Sequence, residues 1–588
     1  MRLINIKAFL EREEAMSKSQ RVDRRCKILE CRDDQTTAYA ILSHRWVEDT
    51  EVDYEEMVGL ARMDVEERDE VRQRLGYRKI WDTCQQEKRD GYEWVWVDTC
   101  CIDKRSSAEL SEAINSMYRW YENSRVCYAY LHDVSDPSFP NQSDKSRYPN
   151  SNGWPEWFSR GWTLQEMIAP NDVRFFNKNW HPVGAKARLA ETLGDATRVP
   201  KHILTRGLAG NRPCVAQIMS WAANRTTTRV EDRAYSLLGL LDVNMPMLYG
   251  EGKKAFHRLQ LEIIRSSNDQ SIFAWGGQIE SSVLADDPKC FEHCSQMELM
   301  DHAEFIKSLK KYIPAEELPS IQEDHFGTFP ITNRGIHIWM LLNPYHTSDS
   351  VFKAVLPCRH DPHAPPAWVV LALWNSNYHR YPMPVGSSLC TTSNVQFRQI
   401  YLRYQDTFPS VTFEIDDSAI VDENGFTCLD KYPSKFKGNK HTVTANSPLC
   451  AKVYSNGQPN CRFAVAFGHW SSQSWVHAKS CSNFSQFLLQ EFVKGLEHTR
   501  CMAQVPSRDD HYGCISVNHI RLPGWIVRTS RIVWERSRIG VRIEAFRDPG
   551  INTGINEWRT LDVQVRVLSS CMCIITIIYM ESMIPLVT

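Results

Sequence analysis

The chain has 588 residues, with 69 Lys plus Arg against 71 Asp plus Glu, a formal net charge of −2, 42% hydrophobic and 24% charged residues. That composition excludes a largely disordered chain, and the balanced charge argues against a generally basic nucleic-acid binder. At roughly 150 residues per domain the length suits about four domains, or two or three larger ones.

The 19 cysteines are scattered and odd in number. The start, MRLINIKAFLEREE, has no apolar core and no cleavage site. Together these features predict mostly reduced thiols in a cytoplasmic protein. No apolar run reaches the roughly 18 residues of a membrane span. The nearest, CMCIITIIYM (571–580), reads as a buried strand or a sticky tail.

In chain order, Tyr39–Ser43 (YAILS) reads as a short apolar strand, and the charged stretch 47–75 as holding a helix around Tyr54–Met63. In Gly76–Arg89, Tyr77, Ile80, Trp81 and Cys84 fall on one helical face, and Asp90-Gly91 stops that helix. YEWVWVD (92–98) is a strand rich in aromatic and Val residues. Ser106-x-x-Glu109 is a capping box opening a helix with Leu110, Ala113, Ile114, Met117 and Tyr121 on one face. VCYAYL (126–131) is the next strand, 135–153 a polar loop, Trp162–Ile168 a short helix ended by Pro170, and Asp172–Phe176 a further strand. Such alternation predicts a parallel sheet with helices on both faces over 1–180.

Residues 181–269 read as a mainly helical connector, with its clearest helix at Glu251–Ser266. From Gln270 to the end, SIFAW (271–275), IHIWMLL (336–342), AWVVLALW (367–374), FRQIYLRY (397–404), RFAVAFGHW (462–470) and RIGVRIEAF (538–546) alternate with Pro, Gly, Asn and Asp clusters. That texture predicts a β-rich domain, a sandwich or a barrel.

In an open parallel sheet, ligands bind beyond the carboxyl ends of the strands. Ser43, His44, Arg45 and Trp46 follow the first strand, Asp98, Asp103 and Lys104 the second, and His132 and Asp133 the third; Arg160, Trp162 and Glu166 surround the short helix. A carboxylate, cations for phosphates and an aromatic surface for a base suit a nucleotide-like ligand. No metal site is expected: the tightest Cys/His cluster, Cys290, His293 and Cys294, lacks a second pair at zinc spacing. YGEGKK (249–254) is not a phosphate loop of the G-x-x-x-x-G-K-[ST] kind, so an NTPase module is not expected.

YAILSHRW, WVWVDTCCIDKRSSAELSEAINSMYRWYENSRVCYAYL and WFSRGWTLQEM resemble, in order, the three blocks of the fungal HET (heterokaryon incompatibility) domain. SWAANRTTTRVEDRAYSLLGLLDVNMPMLYGEGKKAFHRLQLEII (220–264) resembles the segment that follows it in the vegetative-incompatibility branch. AILSHRWVEDTEVDYEEM is in turn similar to the opening of TIR domains, with His44 and Trp46 where an aromatic residue and Gly are usual; SRGWTLQEM is similar to the TIR Ser-x-x-Trp-Cys-x-x-Glu block, with Thr163 in place of Cys. The likeness implies a TIR/flavodoxin-like fold and aligns Glu166 with the glutamate by which TIR enzymes cleave NAD between nicotinamide and ribose. It implies NAD as a substrate rather than a bound cofactor, with Arg45 or Arg160 on the pyrophosphate and Trp46 or Trp162 against the base. It also implies a homo-oligomer through the HET domain, with programmed cell death as the outcome.

Each residue also has a plainer reading. Thr163-x-x-Glu166 fits a capping box, Trp46 and Trp162 fit core aromatics, His44 a structural hydrogen bond, Asp98 a turn, and Asp103 a solvated helix entrance. On those readings the domain is a TIR-like adaptor that recruits a separate effector, without nucleic acid or membrane as partner.

Overall fold

The computed structural model describes residues 1–547, apart from 19–26, 209, 211, 278–281, 311–323, 345–350, 375–376, 381–394, 406–409, 433–437, 445–448, 459–460, 471–472, 481–514, 523–524 and 536–537. The apolar tail at 571–580 lies outside the described residues.

The N-terminal sheet is built from β1 (Arg2–Asn5), β2 (Leu29–Cys31), β3 (Ala40–His44), β4 (Trp94–Trp96), β5 (Val126–Tyr130), β6 (Val173–Phe176) and β7 (Pro182–Ala185), in the order β2-β1-β4-β3-β5-β6-β7. Strands β4, β3, β5 and β6 are parallel neighbours. Taken in chain order, those four parallel strands run second-first-third-fourth. This is the doubly wound order, and the direction of winding reverses beside β3. Every residue of β3 and β5 is buried, as expected of strands covered on both faces.

The expectation of a purely parallel sheet is corrected at both edges. β1 pairs antiparallel with β2 and β4, and β7 pairs antiparallel with β6. β4 has only three residues, and β1 covers what would otherwise be its open edge. Leu3 and Ile4 are fully buried there.

Helices cover both faces. Before β4 the chain forms α1 (Ile6–Ser17), α2 (Tyr54–Gly59), α3 (Val65–Gln73) and α4 (Leu75–Asp90). Gly91 closes α4 at φ 85°, a left-handed position that suits glycine, and its N–H returns to the Glu87 carbonyl. The far end of α4 reaches the sheet through Asp90, which accepts a hydrogen bond from the Tyr128 hydroxyl at 2.5 Å. On the opposite face lies α5 (Ser107–Asn123), whose Ala113, Ile114, Met117, Trp120 and Tyr121 are buried. Trp96 meets Trp120 and Tyr121 edge-on. Burying such a side chain contributes roughly 1.5–3 kcal/mol. The predicted capping box at α5 is half formed. Ser106 accepts from the Glu109 N–H, but the Glu109 carboxylate is taken by Arg2 and by the Asp103 N–H.

A six-residue helix, α6 (Thr163–Ile168), follows the long loop, and all six of its residues are buried. Beyond β7 the connector is helical, as read from sequence: α7 (Lys186–Thr197), α8 (Lys201–Arg206), α9 (Val215–Ala222), α10 (Asp232–Tyr235), α11 (Leu238–Leu241) and α12 (Lys254–Ser266). SIFAW is not a strand: Gln270–Phe273 is a turn of 3-10 helix with all four residues buried. A short apolar run has no period that separates a strand from a buried turn. The first long strand after it is Ile336–Pro344.

The chain divides into two compact units, Met1–Pro344 with Lys353–Val370 and Pro382–Tyr404, and the remainder. Residues 336–402 include a small closed barrel. Within the second unit, Ser410–Asp416, Lys440–Thr444, Ile515–Leu522, Trp525–Glu535 and Arg538–Arg547 form a five-stranded sheet, and Thr427–Tyr432, Leu449–Ser455, Arg462–Trp470 and Gln473–Ser480 a four-stranded one. Phe413, Val541 and Ile543 of the first share a core with Tyr454, Phe463 and Phe467 of the second. Both a barrel and a sandwich are therefore present in the β-rich region.

Candidate functional site

Successive residues of a strand face opposite sides of its sheet, so the end of β3 presents Ser43 and His44 in opposite directions. Ser43 is fully buried on the α5–α6 side. Its hydroxyl donates to Glu166 Oε2 at 2.5 Å and accepts from Trp157 Nε1 at 2.8 Å. Glu166 is 4% exposed. Burial pushes its carboxyl up to about 8, helped by the negative charge of Asp98 and opposed by the Ser43 bond, Arg160 and Arg225. Glu166 does not act as a cap. Thr163 Oγ1 instead donates to the carbonyls of Trp157 (2.5 Å) and Arg160 (3.0 Å), and no side chain caps α6.

On the other side, His44 Nε2 is 3.1 Å from Asp98 Oδ1, and Trp46 Nε1 donates to Asp98 Oδ2 at 2.9 Å. Burial works to raise the Asp98 carboxyl, but His44, Lys104 and Trp46 outweigh it and hold it below its usual value. Lys104 Nζ lies 3.7 Å from the centre of the Trp46 ring, which is 40% exposed. Glu51 is ion-paired with the buried Lys79 and lies 3.9 Å from His44 Nδ1. Burial lowers Lys79, against the pull of Glu51.

The predicted cations part company. Arg45 Nε pairs with Glu156 Oε2 at 3.0 Å, an oxygen also 3.5 Å from His132 Nε2, and Asp133 accepts the Glu156 N–H. Arg160 makes no ion pair among the described residues; Nη1 is 3.4 Å from Thr228 Oγ1, and burial followed by Arg45 lowers its pKa, against the pull of Glu166 and Asp98. Asp103 is drawn away from Asp98: it pairs with Arg105 at 3.0 Å at the entrance to α5. Trp162 is half-buried and acts on Asp232, favouring its carboxylate against the effect of burial. The structure thus gathers Ser43, His44, Trp46, Asp98 and Glu166 at the strand ends, with Arg160 acting on Glu166. Arg45 binds elsewhere, and Asp103 and Trp162 are engaged by other partners.

Three residues escaped the sequence reading. Trp157 is fully buried in the same WFSRGW block and joins Ser43 across 114 positions. Lys186 Nζ donates to the carbonyls of Met167 (3.1 Å), Ile168 (3.5 Å) and Pro170, closing the end of α6. Arg225 Nη1 donates to the Arg160 carbonyl at 2.8 Å and to Thr163 Oγ1 at 3.0 Å. Only the strings WFSRGW and SWAANRTTTR, already notable as blocks, could have drawn attention to Trp157 and Arg225. Among the described residues, no group of three His, Cys, Asp or Glu could hold a metal, and no helix is long and apolar enough to cross a membrane.

The family model for the heterokaryon incompatibility protein (HET) matches residues 39–166, and a second model, a domain of unknown function (DUF8212), matches 254–282. Vegetative incompatibility protein HET-E-1 of Podospora anserina is 43% identical over 233 residues, covering 38% of this chain and 16% of that protein's length. Among solved structures, a lectin (XCL) of Xerocomus chrysenteron, in mutated form, aligns over 24% of this chain and all of its own, at 12% identity and a TM-score of 0.18. The matched block runs from the start of the β3 segment to Glu166, and over it the chain is similar to heterokaryon incompatibility (HET) proteins.

Proposed function

We propose that this chain acts in heterokaryon incompatibility, and that its TIR-like N-terminal domain, when clustered, cleaves NAD with Glu166 as the catalytic carboxylate. The observation that supports this reading most is the carboxylate itself. It stands at the carboxyl ends of parallel strands, beside the point where the winding reverses, with Ser43 bonded to it and two arginines acting on it.

In the reaction, the bond between ribose C1′ and the pyridinium nitrogen breaks, and both electrons leave with neutral nicotinamide. No acid is needed for that departure. The ribose is left oxocarbenium-like, water adds at C1′, and the added water loses a proton. An ionised Glu166 would stabilise the cation and accept that proton. With its carboxyl pushed up to about 8, Glu166 is largely protonated at neutral pH, so the reading includes an inactive single chain that is switched on by self-association. Loss of NAD would then kill the cell.

One observation favours a second reading. Glu166 is 4% exposed and already bonded to Ser43, which suits a structural residue of a non-catalytic adaptor. NAD consumption by the full chain fused to an oligomerising segment, beside Glu166→Gln and Glu166→Ala, decides between them. Loss of NAD with the native chain, and its survival with both folded variants, supports catalysis. Survival of NAD throughout, while the clustered chain still kills cells, overturns it in favour of the adaptor.

A further inference from the structure

The segment after α9 returns to the site as a strap. Gly161 N–H donates to the Thr226 carbonyl at 2.9 Å, and Thr226 N–H to the Ser159 carbonyl at 2.6 Å. A Cβ at Gly161 would lie 2.6 Å from Thr227 Cγ2, so the approach is close enough to need glycine. The strap delivers Arg225, 3% exposed, to the start of α6. Its Nη1 holds Thr163 Oγ1, and Glu166 lies three residues further along the same helix face. Its Nη2 is buried with no hydrogen-bond partner among the described residues.

A buried charge without a counter-charge is costly. Among the described residues Arg225 has no ion pair, and the charge acting on it is that of Glu166. Burial lowers Arg225 to about 9, so it stays protonated at neutral pH. Other groups also act on the carboxylate. Asp98 opposes its ionisation, Ser43 and Arg160 favour it, and Tyr121 and Cys127 lie within its field.

We propose that Arg225, from outside the 39–166 block, completes the site as a positioning residue: its guanidinium fixes the start of α6, the helix that carries Glu166, and its positive charge favours the carboxylate form. The proposal deepens the reading of Glu166 as the catalytic carboxylate, and rests on that reading for its bearing on catalysis.

The test is the carboxyl band of Glu166 in the infrared spectrum of the full chain, identified by its absence in Glu166→Gln and titrated without substrate. Arg225→Met is expected to raise the midpoint by up to about one pH unit, the low end of the effect of an opposite charge, because the two groups are not in ion-pair contact. Arg225→Gln, which can still donate to Thr163 but carries no charge, is expected to raise it similarly, and it decides the matter should the Met variant not fold. An unchanged midpoint in either folded variant overturns the proposal. The NAD assay on the native chain is separate: failure to cleave NAD sinks the catalytic reading, while the titration still rules on Arg225.

Discussion

Glu87, on α4, is fully buried, and neither carboxylate oxygen has a hydrogen-bond partner among the described residues. Burial pushes its carboxyl well above the usual range, and the nearby Asp90 and Cys101 push in the same direction. Native Glu87 therefore keeps its proton at pH values where the unfolded chain, with an ordinary glutamate near 4.3, has lost it. The native state binds more protons, so Glu87 makes stability fall as pH rises from the unfolded value towards the raised native one. Each pH unit in that window costs about 1.4 kcal/mol. Glu87→Gln has the same shape and no proton to lose. Relative to the native chain it should gain about 1.4 kcal/mol for each pH unit within that window, and nearly nothing below pH 4. Hydrogen exchange of the α4 amides, compared between the two chains at each pH, reads this difference locally. A difference that stays constant from pH 4 to pH 7 would refute the claim that Glu87 is neutral in the fold.

Lys186→Met leaves three carbonyls at the end of α6 without their donor. It should cost about 1–3 kcal/mol, seen as faster exchange of the α6 amides, with α4 unaffected. Gly239→Ala places a methyl 2.0 Å from Tyr118 Cβ, where α11 meets α5. That overpacking should cost about 1–3 kcal/mol in thermal unfolding. Gly250→Ala, at φ 103° with open space around it, should cost less than Gly239→Ala because only backbone strain opposes it.

What could be read from the sequence followed from period and composition. β3, β5, α4 and α5 are legible because their apolar residues recur at the spacing of a strand or a helix. β1 has four residues, too few to show a period, so the antiparallel edge went unseen. Ser43, His44, Asp98 and Glu166 were within reach because strand ends in a parallel sheet converge, whatever lies between them. Asp103 was misplaced because position after a strand does not say which neighbour wins the carboxylate, and Arg105 lies two residues away. The contact of Arg225 with Thr163 spans 62 positions and belongs to no periodic pattern; only tertiary packing creates it.

The shortness of α6 has an evolutionary consequence. A six-residue helix is too short to hold itself together. Here one end is gripped by Arg225 and the other by Lys186, both encoded downstream of the block that the HET family model matches. A chimera that exchanged only residues 39–166 between two such proteins would inherit Glu166 without the residues that grip its helix. The structural module therefore runs past the strap, and recombination breakpoints that preserve the packing of α6 are expected after residue 228 rather than after residue 166.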